Sequence, residues 1–274
     1  MLDISVLISF LSLIVFLLFF SISFLNIKRN NGLLKKIFLF GNFLSFLSFL
    51  SVFIFLLNKN NVSEITKILF LSLSLLCLIY LIFCIINFNF IRLRLLFLPY
   101  FFLLSLICYS FFLIEIKYKF ESNLFDNGLI SAHIICSLLS YSLLTFSVLT
   151  STAFYIVEKN LKLPNSKRSS LIILLPSIYE SEKITINLLY LTQFFLLTSF
   201  LTGFYYYYLY SNYIFFLINS KSILSIITFF LISSLLIIRL YFGITGKKIF
   251  NFVIVSFLFI NLSYFGLKIY EKIN

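Results

Sequence analysis

Residues 129–157 read LISAHIICSLLSYSLLTFSVLTSTAFYIV, 29 consecutive positions without Asp, Glu, Lys or Arg. The hydrocarbon core of a bilayer is about 30 Å thick, and a helix crosses it in about 20 residues. The stretch is therefore long enough to span. Lipid offers no hydrogen bonds to a bare backbone, so a stretch of this kind must satisfy itself as a helix. Seven further apolar stretches share this character, at residues 4–25, 37–57, 68–88, 95–114, 184–210, 222–240 and 249–267. Together they predict an all-α polytopic transmembrane helix bundle of about eight spans.

Composition points the same way. Of the 274 residues 62% are hydrophobic and 11% charged, against about 45–50% and about 25% in ordinary soluble domains. A soluble core cannot hide so much apolar surface, so the lipid bilayer is the first partner. The net charge of +12 would suggest nucleic acid in a soluble protein. Here the basic residues stand in short connections between apolar runs, where they orient a membrane protein, and no nucleic-acid partner is expected. The abundance of Phe (39) and Tyr (17), with Ala only at Ala132 and Ala153, reads as AT-rich coding bias rather than function. The run from Ile4 to Leu25 has no basic segment before it and no small-residue cleavage site after it, which predicts a retained helix. Cys77, Cys84, Cys108 and Cys136 fall in apolar runs with no C-x-x-C among them, so they read as structural thiols rather than a disulfide framework or a zinc site.

The connections set the orientation. Those after the first, third, fifth and seventh spans hold fourteen Lys and Arg: Lys28, Arg29, Lys35, Lys36, Arg92, Arg94, Lys159, Lys162, Lys167, Arg168, Lys183, Arg239, Lys247 and Lys248. The other side has the remaining seven: Lys59, Lys67, Lys117, Lys119, Lys221, Lys268 and Lys272. Both termini are therefore expected outside the cytoplasm. Glu115, Glu121 and Asp126 share that outer side, with an aromatic belt at Tyr205–Tyr208, Tyr210 and Tyr213. The longest connection, Glu158–Lys183, contains Pro164, Pro176 and a short Leu171–Leu175 run expected to lie at the interface.

No Asp, Glu or Lys occupies the middle of a span, which disfavours ion-coupled transport. There is no Gly-rich phosphate loop, no H-E-x-x-H and no Ser, His and acid set, so no enzymatic activity is expected. Pro99, the one intrahelical proline, predicts a kink. Asn187, Gln193, Thr198 and Thr202, with Asn261 and Ser263, read as interhelical hydrogen-bond glue. Gly243, Gly246, Lys247 and Lys248 read as a helix stop followed by headgroup anchors. His133 is the only histidine. Helical spacing places Ser137, Ser140 and Tyr141 on its face, predicting a stripe that looks into the bundle. Packing against a neighbouring helix is one use for such a ring. Ligation is the other, since imidazole is the one strong neutral metal ligand here and haem iron takes such an axial nitrogen.

Several motifs resemble one family. His133-Ile134-Ile135-Cys136-Ser137-Leu138-Leu139-Ser140-Tyr141 resembles a histidine-led family helix, followed by Leu175-Pro176, the acidic Glu182 and the helix-closing Gly203. Lys221-Ser222-Ile223-Leu224-Ser225, the turn Gly243-x-x-Gly246-Lys247-Lys248 and the ending Tyr264-Phe265-Gly266-x-Lys268 follow in order. From about His133 onward the chain thus resembles the cytochrome c assembly family of CcsA/CcmC-type membrane proteins, especially its small YpjD-like and HemX-like branch. Residues 1–120 agree with the family in helix count and hydropathy, which divides the chain into an N-terminal four-span part and a family-like part at 121–274.

The resemblance implies the bacterial cytoplasmic (inner) membrane, partners among other cytochrome c maturation proteins, and haem contact at the outer face. His133 inherits the axial ligand role, with Ser137 and Tyr141 as further haem-contacting residues and the haem iron as the only metal. The family's tryptophan-rich haem segment is absent, because the chain has no Trp, and a bis-histidine site within one chain is excluded. A regulatory or scaffold protein of haem synthesis or of a neighbouring membrane complex, without bound haem, is the alternative of another class. An uncoupled small-solute permease is the third.

Overall fold

In the computed structural model the described residues are 11–19, 32–57, 63–87, 89–115, 127–162, 164, 175–210, 220–244 and 246–263. They are helical almost throughout. The helices are α1 (Gly32–Leu57), α2 (Glu64–Ile86), the single turn α3 (Asn89–Arg92), α4 (Arg94–Glu115), α5 (Gly128–Leu161), α6 (Ile178–Tyr210), α7 (Ser220–Phe242) and α8 (Lys247–Asn261). Among the described residues six helices, α1, α2, α4, α5, α6 and α7, are long and apolar enough to cross a membrane. Of the other two expected spans, 4–25 is described only at 11–19, which is helical, and 249–267 only to residue 263. Glu121, Asp126, Lys167, Arg168, Leu171–Leu174, Tyr213 and the Tyr264–Lys268 ending lie outside the described residues. The chain forms two compact units, Met1–Phe125 and Asp126–Asn274.

In the first unit α2 is the most buried span. Phenylalanine fills its core, with Phe16 against Phe101 at 4.7 Å, Phe49 against Phe101 at 5.6 Å, and Tyr80 stacked on Phe97 at 4.1 Å between ring centroids. Aromatic residues whose abundance gave no functional signal thus supply the packing. Ser63 caps α2, its hydroxyl accepting from the Thr66 amide at 3.4 Å. Lys67 and Arg94 open helices and are buried there, although their charge placed them in connections. Such long side chains can pack their stems along the first helical turn. Pro99 lies inside α4, in its second turn, where it offers no amide to the Leu95 carbonyl. Cys77, Cys84 and Cys108 are buried.

In the second unit α5 and α6 form an antiparallel pair. Small residues make the seam: Ser137, Ser140, Ser147, Thr150, Ser151 and Ala153 are buried on α5, and Ser181, Thr185, Thr192, Ser199 and Gly203 on α6. Residues of this size let helices approach closely in lipid, where packing and interhelical bonds drive association. Two turns into α6, Thr185 donates to Thr150 Oγ1 at 2.7 Å. Tyr141, Leu144, Leu189, Leu196, Ile232, Leu235, Val253 and Ile260 close the core against α7 and α8. Gln193 ties α6 to α7 through Ser233 Oγ (2.5 Å) and the Phe229 carbonyl (3.3 Å). Ser263 donates to the Lys221 carbonyl at 2.8 Å. Thr198 and Thr202 instead bond carbonyls of their own helix.

The helix ends explain where the spans outrun the apolar runs. The first turn of α6 carries a reciprocal cap: the Glu180 amide donates to Ser177 Oγ (3.3 Å), while the Ser177 amide and hydroxyl donate to Glu180 Oε2 at 3.4 and 3.0 Å. This S-x-x-E capping box starts the helix at Ile178, six residues ahead of the apolar run. Gly243, at φ +59°, ends α7 with its amide on the Arg239 carbonyl at 2.9 Å. Gly246, at φ +71°, opens α8.

Candidate functional site

The antiparallel order gathers opposite chemistry at the two ends of the second unit. At one end stand the start of α5, the last turns of α6, the start of α7 and the end of α8. His133 is here, half-buried and five residues into α5. Its Nδ1 lies 2.7 Å from the Ser199 carbonyl oxygen and 3.2 Å from Ser199 Oγ. A carbonyl oxygen only accepts, so Nδ1 carries the proton and donates to it. In the neutral ring Nε2 then holds the lone pair. Among the described residues no hydrogen bond engages Nε2. This is the arrangement in which one ring nitrogen is fixed by a backbone carbonyl and the other is presented as a ligand.

Ser137 and Tyr141 follow on the same face, one and two turns deeper. Ser137 is buried and donates to its own helix at the Ile134 carbonyl, 2.8 Å away. Tyr141 is buried in the core, with its hydroxyl on Asn261 Oδ1 at 3.4 Å and its ring stacked on Phe257 at 6.2 Å. The structure thus brings His133 together with Ser199 and fastens Tyr141 to α8. The Ser199 carbonyl is the partner that sequence reasoning missed, because a backbone acceptor has no residue-type signature. Beyond Ser199, α6 ends in exposed tyrosines at Tyr205, Tyr208 and Tyr210.

At the other end stand Glu158 and Lys159 on α5 with Lys162 capping it, Glu180, Glu182 and Lys183 on α6, Arg239 on α7, and Lys247 and Lys248 on α8. Arg239 Nη1 pairs with Glu182 and also donates to the Ile244 carbonyl at 2.6 Å. Glu158 accepts from Lys162 Nζ at 2.7 Å, and its Oε2 would lie 3.0 Å from a Cβ placed on Gly246. The backbone angle calls for glycine there, and a side chain in its place would make the Glu158 carboxylate shift by a few tenths of an ångström.

The fold and these two ends define an integral membrane protein: a bundle of apolar helices with one oriented imidazole near the end of a span and a basic cluster at the opposite end. The chain matches the family described as cytochrome C assembly protein over residues 42–273 and belongs to it. The match begins within α1 and runs through both units. Membership supports a role in cytochrome c maturation. A comparison with curated proteins returns no match, nor does one with solved structures.

Proposed function

We propose that this protein is a non-enzymatic haem-handling component of cytochrome c maturation in the bacterial cytoplasmic membrane, with His133 as a single axial ligand at the outer face. The observation that carries the reading is the His133–Ser199 bond. It commits Nδ1 as a donor and leaves the Nε2 lone pair on a ring whose plane and tautomer are fixed before any ligand arrives, so little ordering cost remains for binding. Ser137 and Tyr141, one and two turns deeper on the same face of α5, are the further haem contacts of this reading. Haem, when bound, supplies the iron centre that the maturation pathway delivers. This chain's part is to hold it by one nitrogen and release it, and one ligand from one chain suits exchange better than two.

The charge asymmetry of the second unit supports the orientation. Its basic end carries six Lys and Arg (Lys159, Lys162, Lys183, Arg239, Lys247, Lys248), while the described part of the His133 end carries Lys221. Positive charge is retained in the cytoplasm, which supports an outer position for His133. The chain's lack of Trp fits the small YpjD-like and HemX-like branch that it resembles.

Absorbance of the detergent-purified protein titrated with haem tests the reading. The native chain should develop a Soret band that His133→Ala lacks, and added imidazole should restore it. A native protein that takes up no haem would sink the ligand role and favour the scaffold alternative.

A further inference from the structure

The basic end of the second unit holds a cavity of about 230 Å³ lined by Tyr179, Glu182, Lys183, Ile186, Asn187 and Arg239. Its chemistry is one-sided. Arg239 spends Nη1 on Glu182 and the Ile244 carbonyl, and its remaining guanidinium nitrogens make no hydrogen bond among the described residues. The Lys183 ammonium, the Asn187 amide and the Tyr179 hydroxyl likewise make none there. The only acid in the lining, Glu182, is already neutralised by Arg239. What faces the cavity is a set of spare donors with an excess of positive charge, suited to phosphate oxygens.

Two of the lining residues, Lys183 and Asn187, begin an exposed stripe along α6. Lys183, Asn187, Tyr190 and Phe194 stand at i, i+4, i+7 and i+11 on α6, so they share one face, and all four are exposed. The face changes from cation to amide to aromatic rings within three turns. Leu240, Tyr241 and Phe242, which follow Arg239 in sequence, are likewise exposed at the end of α7. A free anion has no use for the apolar part. A phospholipid fills both, with its phosphate among the donors and a chain along Tyr190 and Phe194.

We infer that this cavity is a binding site for the phosphate headgroup of an anionic phospholipid, held by Lys183, Arg239, Asn187 and Tyr179. The excess positive charge selects an anionic headgroup over a zwitterionic one, whose own ammonium group would meet Lys183. The site lies at the opposite end of the helices from His133 and does not depend on that residue's role.

The full chain is reconstituted in nanodiscs of phosphatidylcholine with a minor fraction of phosphatidylglycerol, and the lipids retained after release are counted by native mass spectrometry. Phosphatidylglycerol should be enriched over phosphatidylcholine. The exposed Lys183→Gln should lower the enrichment by about fivefold, the factor expected for one basic side chain at a membrane surface. The double variant Glu182→Gln/Arg239→Gln removes the pair without stranding a charge and should lower it again, with helix content unchanged. Equal enrichment in native and Lys183→Gln proteins would overturn the site. Displacement of the retained lipid by inorganic phosphate would also overturn it, because that outcome identifies a free-anion site.

Discussion

Gly246→Ala should destabilise the second unit more specifically than Gly243→Ala, although both glycines have positive φ. Gly246 sits at φ +71° and ψ −140°, a region left almost entirely to glycine, so an alanine there costs about 1–3 kcal/mol in backbone strain. Its Cβ would also lie 3.0 Å from Glu158 Oε2 and 3.6 Å from Cδ. The carboxylate must give way by a few tenths of an ångström, which weakens its charge–dipole interaction with the start of α8, worth about 0.3–1 kcal/mol in full. Gly243, at φ +59°, faces open space, so Gly243→Ala carries only the left-handed backbone cost of about 1–2 kcal/mol. The steric share separates the two through a double-mutant cycle with Glu158→Ala, measured by detergent unfolding titrations of the purified chain. Gly246→Ala should couple to Glu158→Ala by about 0.5–1 kcal/mol, whereas Gly243→Ala should couple by nothing measurable. Absence of coupling at Gly246, or native stability of Gly246→Ala, would refute the packing of α5 on the start of α8.

Other perturbations follow from single contacts. Thr185→Val removes one interhelical hydroxyl bond and should cost about 0.6 kcal/mol in the same titration, the mean for such bonds in membrane proteins. Arg239→Gln leaves Glu182 without its cation and the Ile244 carbonyl without its donor, and should cost about 1–3 kcal/mol. Glu182→Gln in that background should recover part of the loss. Topology reporters placed after Asn274 and near Asn123 should report the outside, and one near Asn165 the cytoplasm. An external signal near Asn165 would invert the orientation.

The bundle was legible because lipid imposes a simple rule on sequence: about 20 uncharged apolar residues for each crossing. That rule found the six long helices but placed their ends by charge. Tyr179–Lys183 was assigned to a connection although Ser177 and Glu180 form a capping box, a signal the sequence contained. Lys67 and Arg94 read as connection charges by residue type, whereas both are buried in the first turns of α2 and α4. The candidate ligand was legible because it is the chain's one imidazole. Its setting was not, since Nδ1 is held by a backbone carbonyl 66 residues further along, and only the pairing of α5 with α6 brings that oxygen within 2.7 Å. The polar cavity was hidden for a similar reason, because Arg239 joins Glu182 and Lys183 only once α7 packs beside α6.

His133 being the chain's only histidine makes the central claim open to an unusually direct measurement. Protein grown with ¹⁵N-labelled histidine carries the label at this single ring, and electron–nuclear double resonance of the ferric haem complex reads the nitrogen bound to iron. A histidine-derived ¹⁵N coupling in the native protein, absent from His133→Asn, which keeps a donor for the Ser199 carbonyl, is the predicted result. A complex whose axial coupling does not change on labelling would show that the iron is held by something other than His133.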